Sequence, residues 1–224
     1  MFILFFFFIF IFPSGLDAYR YSKTVAEKSF WKLLQNIKTN PRRVQGAAIL
    51  PSFIVGPPRT SRTDGESTTF MRMALSGILP YRGDTPMCDV RDVALAHMKA
   101  AKEERATGSY QKNGTKDEVE KHRFIVSSER AVQIPVVLEW LRDEYGEKYE
   151  IVARKGSVIQ SSSASEKESQ KIFCSKNNDL IGMKKLRLVK ESILDMAKAM
   201  LMLKSVIPLA KTSLEFTSAQ RVEL

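Results

Sequence analysis

Hydrophobic and polar positions alternate along the chain in segments whose periods change from one to the next. The first twelve residues, "MFILFFFFIFIF", carry no polar position at all. A membrane-spanning helix needs about 20 apolar residues, so the run is too short to cross a bilayer. Its length suits the core of a signal peptide, but no Lys or Arg precedes it and "PSGLDA" is only a loose cleavage site. A weak signal or anchor, a buried strand and a misplaced exon end all remain open for it. From Asp17 to about Ile37 the pattern turns helical: Ala18, Tyr21, Val25, Ser29, Leu33 and Ile37 run down one side, with Phe30 and Leu34 broadening it. Asp17 is placed as an N-cap, and Asn40-Pro41 marks the end.

"GAAIL" follows as a short, wholly apolar strand that enters the turn-rich loop "PSFIVGPP", a pattern suited to a parallel sheet. Residues 59–69 read as a loop, and "TTFMRMALSG" as a short helix ended by Gly77. "MCDVRDVALAHMKAAKEE" predicts a strand and then a helix from about Asp92, placed as its N-cap. "RFIVSS" is a strand. "IPVVLEWLRDEYG" is a helix with Pro135 in its first turn, Ile134, Val137, Leu138 and Leu141 on one face, and Gly146 after its end. "YEIVAR" is a further strand, and helices are expected over about 175–182 and 189–205. Residues 112–122 form a charged surface insertion and 157–170 a Ser-rich loop. Strands alternating with helices define an α/β protein.

Composition narrows the picture only a little. The net charge of +10 favours polyanions in general without choosing among them. No nucleic-acid-reading motif accompanies it, so no nucleic-acid partner is expected. From Lys184 to Lys211 seven basic residues face only Glu191 and Asp195, which leaves membrane-surface contact by a basic helix as an open alternative to a helix packed on its own domain. Two cysteines, Cys88 and Cys174, make no disulfide framework, and His97 and His122 complete no metal-ligand spacing. An intracellular, cytoplasmic protein is expected, with membrane association through residues 1–12 as the alternative.

The chemistry that stands out is Tyr19 and Lys23. Four residues apart on a helix, they project from one face. A free phenol titrates near 10, and a neighbouring ammonium favours phenolate and lowers that value. A tyrosine tuned in this way can pass a proton to or from a carbonyl or alcohol oxygen. Alone, the spacing is a weak signal, and an exposed helix pair is the plain alternative. Tyr21 has Val25 at the +4 position and is expected to pack.

"YRYSKTVAEK", then "ILPSFIVGPP", then "CDVRDVALAHMKA" resemble, in order and spacing, the second half of the extended short-chain dehydrogenase/reductase family, nearest its dihydroflavonol 4-reductase and 3β-hydroxysteroid dehydrogenase branches. The resemblance extends through "RFIVSS" and, more weakly, "NNDLIGMKKLRLVKESILDMAKAML". It implies a partial Rossmann-like domain, a doubly wound parallel sheet, over residues 17–109 and a substrate-binding region over 110–224, after a leader over 1–16. It further implies NADP or NAD as cofactor and a small carbonyl or alcohol substrate. Tyr19 would be the catalytic acid/base, and Lys23 would lower its pKa and hold the nicotinamide ribose. Pro51, Ser52 and Phe53 would lie along the nicotinamide ring, and Ser67 would make a polar cofactor contact. Asp89 and Asp92 would hold a turn and cap a helix.

The sequence departs from that family in one large respect. It has 11 glycines and no G-x-G-x-x-G or G-x-x-G-x-x-G anywhere, and no active-site Ser or Thr stands well upstream of Tyr19. A truncated or degenerate copy, inactive as an isolated chain, is therefore expected. The strand near 46–50 would then have an unpaired edge, and the chain would be poorly soluble or molten. A sugar-nucleotide epimerase or dehydratase of the same fold, and a non-catalytic remnant that binds a partner or a membrane surface, are the alternatives.

Overall fold

The computed structural model describes residues 2–5, 16–36, 44–76, 84–107, 119–146 and 176–206. Among these, three parallel strands form the central sheet in the order β1 (Phe2–Phe5), β2 (Gly46–Pro51), β6 (Arg123–Val126). Phe2 stands opposite Gly46 and Phe5 opposite Ile49, while Ala48 stands opposite Arg123 and Pro51 opposite Val126. The expected unpaired edge at β2 is thus overturned: the Phe-rich start supplies a strand that covers it. All six residues of β2 are buried, as a strand with neighbours on both sides requires.

The chain turns out of β2 at Ser52 into β3 (Phe53–Val55), which pairs in parallel with β5 (Met87–Asp89). Gly56 follows at φ +116°, where a β-carbon would also press on Val90 and Asp89, so this sharp exit needs glycine. A short antiparallel pair joins β4 (Asp84–Thr85) to β7 (Val132–Gln133).

Five helices surround these strands among the described residues: α1 (Leu16–Asn36), α2 (Glu66–Leu75), α3 (Val90–Lys102), α4 (Ile134–Tyr145) and α5 (Val189–Met202). The largest apolar cluster joins Phe53, Phe70, Met71 and Met87 to Ile134, Val137 and Leu141 of α4 and Ile193, Met196 and Met200 of α5. The apolar face of the basic C-terminal helix is therefore buried against its own chain. A second cluster lies under α3, between Ile49, Phe124 and Val126 on one side and Val93, Ala96 and Ala100 on the other.

Several expectations shift by a turn or a face. Helix α1 starts at Leu16, which places Asp17 inside it rather than at its cap. The stripe assigned to the core on α1 faces outward, with Tyr21 71% and Leu33 61% exposed; Phe30, Trp31 and Leu34 are the buried side. The buried side is the one whose Phe30 and Leu34 pack on the start of β2 at Gly46. The cap of α3 is Asp89, whose carboxylate accepts from the Arg91 backbone N–H at 2.7 Å. Asp92 instead lies buried in the first turn, bound by the backbone N–H of Arg187 at 2.7 Å and by its guanidinium. The expected helix at 175–182 is a single 3-10 turn at Lys176–Asp179. α4 has the expected face, with Ile134, Val137 and Leu141 buried and proline in its first turn. "YEIVAR", the Ser-rich loop, Gly77 and most of the charged insertion lie outside the described residues.

Candidate active site

Two contacts fix how α1 lies on the sheet. A β-carbon on Gly46 would come within 2.3 Å of the Phe30 ring and 2.8 Å of a Leu34 methyl, so the C-terminal half of α1 sits directly on the start of β2. One turn earlier, Glu27 accepts from Arg123 Nε at 2.7 Å and Nη2 at 3.3 Å, and Arg123 stands opposite Ala48. Moving back along α1 therefore moves forward along β2, and helix and strand run antiparallel. Tyr19 is eleven residues before Phe30, about 16 Å along the helix axis at 1.5 Å per residue. Pro51 is five residues beyond Gly46, also about 16 Å along the strand at 3.3 Å per residue. Tyr19 accordingly stands level with the C-terminal end of β2, and Lys23 about one turn short of it. In open α/β folds the C-terminal edge of the sheet is where ligands bind.

Tyr19, Lys23 and Glu27 are half-buried while Ser22, Val25 and Ala26 between them are exposed, so the pair lies on the sheet-facing side of the helix. The Lys23 ammonium is 5.2 Å from the centre of the Tyr19 ring. The phenol is nevertheless pushed above its ordinary value of 10.0, by burial first and by the Glu66 carboxylate second. Lys23 was expected to lower it; here the net direction is upward, and Tyr19 carries its proton throughout the neutral range.

Ser52 closes the edge from the strand side. It is 5% exposed, and its hydroxyl lies against the Cys88 thiol. Its backbone N–H is used on the Val126 carbonyl at 3.0 Å, and its carbonyl accepts from the Cys88 thiol at 3.8 Å. Pro51 is buried as the last residue of β2. The Phe53 ring turns the other way, into the core, and meets Phe70 edge-to-face at 5.4 Å. Ser67 is half-buried in the first turn of α2, next to the Glu66 whose charge reaches Tyr19.

Tyr19, Lys23, Pro51 and Ser52 thus come to one edge, with Ser67 on the helix whose start acts on Tyr19, while the Phe53 ring does not face it. Glu27, Arg123 and Glu66 were missed by sequence reasoning. Glu27 continues the four-residue spacing of Tyr19 and Lys23, a signal that was there to be used. Arg123 and Glu66 reach the site from distant elements, and spacing gives no hint of them. His97 is held by the Val93 carbonyl at 2.7 Å, and no group of acidic, Cys and His side chains that could hold a metal occurs among the described residues. No helix among them is long and apolar enough to cross a membrane.

No protein-family profile and no curated protein sequence matches the chain. Solved structures do. The yeast methylglyoxal/isovaleraldehyde reductase Gre2, complexed with NADPH, is 22% identical with a TM-score of 0.64, over 90% of this chain and 59% of its own. Gre2 from Candida albicans, also with NADPH, is 18% identical with a TM-score of 0.61, over 85% of this chain and 53% of its own. UDP-N-acetylglucosamine 4-epimerase from Methanobrevibacter ruminantium is 14% identical with a TM-score of 0.51, over 89% of this chain and 63% of its own. The fold is therefore a partial Rossmann-like α/β fold, shared with reductases and sugar-nucleotide epimerases. The chain spans a little more than half the length of the reductases it matches.

Proposed function

We propose that this chain carries the proton-transfer side of an NAD(P)-dependent, dihydroflavonol reductase-like oxidoreductase that interconverts a carbonyl and an alcohol on a small molecule. The observation that carries the reading is the Lys23 ammonium 5.2 Å from the Tyr19 ring, on a helix seated antiparallel on β2 of a parallel sheet. The likeness in fold to reductases solved with NADPH supports it.

The nicotinamide, when bound, supplies or accepts the hydride. The protein's part is position and proton. Tyr19 O–H donates to the carbonyl oxygen as it becomes an alkoxide, and a phenol held above its ordinary value is in the form that reduction needs. Lys23 would hold the ribose hydroxyls and stabilise the tyrosinate left behind. Ser52 would lie beside the nicotinamide ring. For the pyrophosphate half the sequence has no glycine-rich loop, so weak binding and no turnover are expected of the 224 residues alone.

Saturation-transfer NMR tests this division with NADPH and the full chain. Transfer should reach the nicotinamide and its ribose strongly and the adenine weakly, and K23M should abolish it. Transfer confined to adenine, or none at millimolar NADPH, would refute the reading.

A further inference from the structure

Strand β6 is bound differently on its two sides. Toward β2, the backbone N–H groups of Ala48 and Ser52 donate to the carbonyls of His122 and Val126, at 2.9 and 3.0 Å. Successive carbonyls of a strand point to opposite sides, so those of Arg123 and Ile125 face away from β2. Both are taken by side chains. Asn177 Nδ2 donates to the Arg123 carbonyl at 3.1 Å and also to that of Glu120, while Asn178 Nδ2 donates to the Ile125 carbonyl at 2.7 Å. Carbonyls two residues apart on a strand are separated by about 6.6 Å, at 3.3 Å per residue. Two adjacent asparagines bridge that step from the 3-10 turn at Lys176–Asp179. The turn is itself fixed. Asn178 is 4% exposed, and its carbonyl accepts from the Met183 N–H at 2.8 Å. Ile181 and Met183 are buried with Phe124 and Val126 in the cluster under α3, and Lys99 of α3 donates to the Gly182 carbonyl at 2.8 Å.

We infer that Asn177 and Asn178 form an edge cap: their amides stand where a strand's N–H groups would, end the sheet at β6, and keep that edge from pairing with β6 of a second copy of the chain. An open edge is a template for another strand, and an edge that pairs with itself about a two-fold axis makes a closed dimer. The amide is what the place requires. A carbonyl oxygen needs a donor, which Ala and Leu lack and which an aspartate would replace with a repelling carboxylate. This role is independent of the chemistry proposed for Tyr19.

Sedimentation velocity of the full chain over a range of concentrations tests the cap. N177A/N178L removes both donors and should self-associate about tenfold or more tightly than the wild type, as carbonyls left without donors find them in a second strand. N177A alone, at the half-buried position, should do so to a smaller extent. I193A, which weakens the other core cluster, should leave association unchanged. Circular dichroism shows which variants are folded; should N177A/N178L unfold, N177A against wild type decides. Hydrogen exchange read by mass spectrometry locates the contact. In N177A/N178L the amides of residues 123–126 should exchange faster than in the wild type when dilute, and become protected as the dimer forms. Association no tighter than in the wild type, an equal tightening in I193A, or protection on association that falls away from β6 would overturn the cap.

Discussion

Asp89→Asn tests the clamp that joins α3 to α5. The Asp89 carboxylate is buried and accepts three times from Arg91: from the backbone N–H at 2.7 Å, from Nε at 2.9 Å and from Nη2 at 2.7 Å. Arg91 reaches on to Asp195 of α5 at 2.8 Å. Burial alone would raise the Asp89 carboxyl, but hydrogen bonds from Arg91 and Ser192 and the guanidinium charge hold it below the usual carboxylate range. Asparagine keeps a capping oxygen but turns an amide donor toward a guanidinium. Removing one partner of a buried pair costs about 3–5 kcal/mol. Arg91 is 37% exposed and keeps Asp195, so the figure is discounted to about 2 kcal/mol. Urea unfolding at pH 7, followed by circular dichroism, should show that loss. Since the folded carboxyl titrates lower than the unfolded one, its contribution is whole above about pH 4 and fades as pH falls through the folded value. The gap between wild type and variant should therefore narrow in acid. A difference within about 0.5 kcal/mol at pH 7, the range of a neutral surface change, would refute the clamp.

Gly46→Ala would drive a methyl into the Phe30 ring and Leu34, and should cost about 1–3 kcal/mol in a thermal melt; an unchanged melt would mean that α1 does not rest on β2 as described. Ile193→Ala, at a fully buried site where α5 meets the main core, should cost about 2–5 kcal/mol, whereas Met202→Ala on the exposed face should cost almost nothing. The Cys88 thiol, pushed up to about 12 chiefly by burial, should resist iodoacetamide at pH 8 in a C174S background and react only once the chain is unfolded.

How much of this was legible beforehand differs from element to element. The order of strands and helices was readable because "GAAIL" has no polar position and "IPVVLEWL" has a helical one-sided pattern, and each signal is local. The inward face of α1 was misread because Tyr21, Val25 and Leu33 recur at helical spacing just as the buried set does. Only contact with Gly46 decides between the two sides, and that contact is not local. The cap of α3 was placed three residues late since both Asp89 and Asp92 are good caps; the distant Arg187 claims Asp92. For the apolar start a buried strand was one of three open readings, and the choice could not be made because "FILF" acquires a register only when β2 is there to pair with it. At the candidate site, Tyr19 and Lys23 were proposed from spacing and from family resemblance. The direction of the Tyr19 shift was not legible, since it depends on burial and on a glutamate more than forty residues away.

The most direct test of the central claim is a residue-level map of where the nicotinamide half of the cofactor lands. Reduced nicotinamide mononucleotide is titrated into the ¹⁵N,¹³C-labelled chain, with adenosine monophosphate as control. Saturable shifts at Tyr19, Lys23 and Ser52, absent with the adenine nucleotide and lost in K23M, are the predicted result. Shifts elsewhere on the surface, or the same response to both nucleotides, would contradict the claim that this edge of the sheet is the active site.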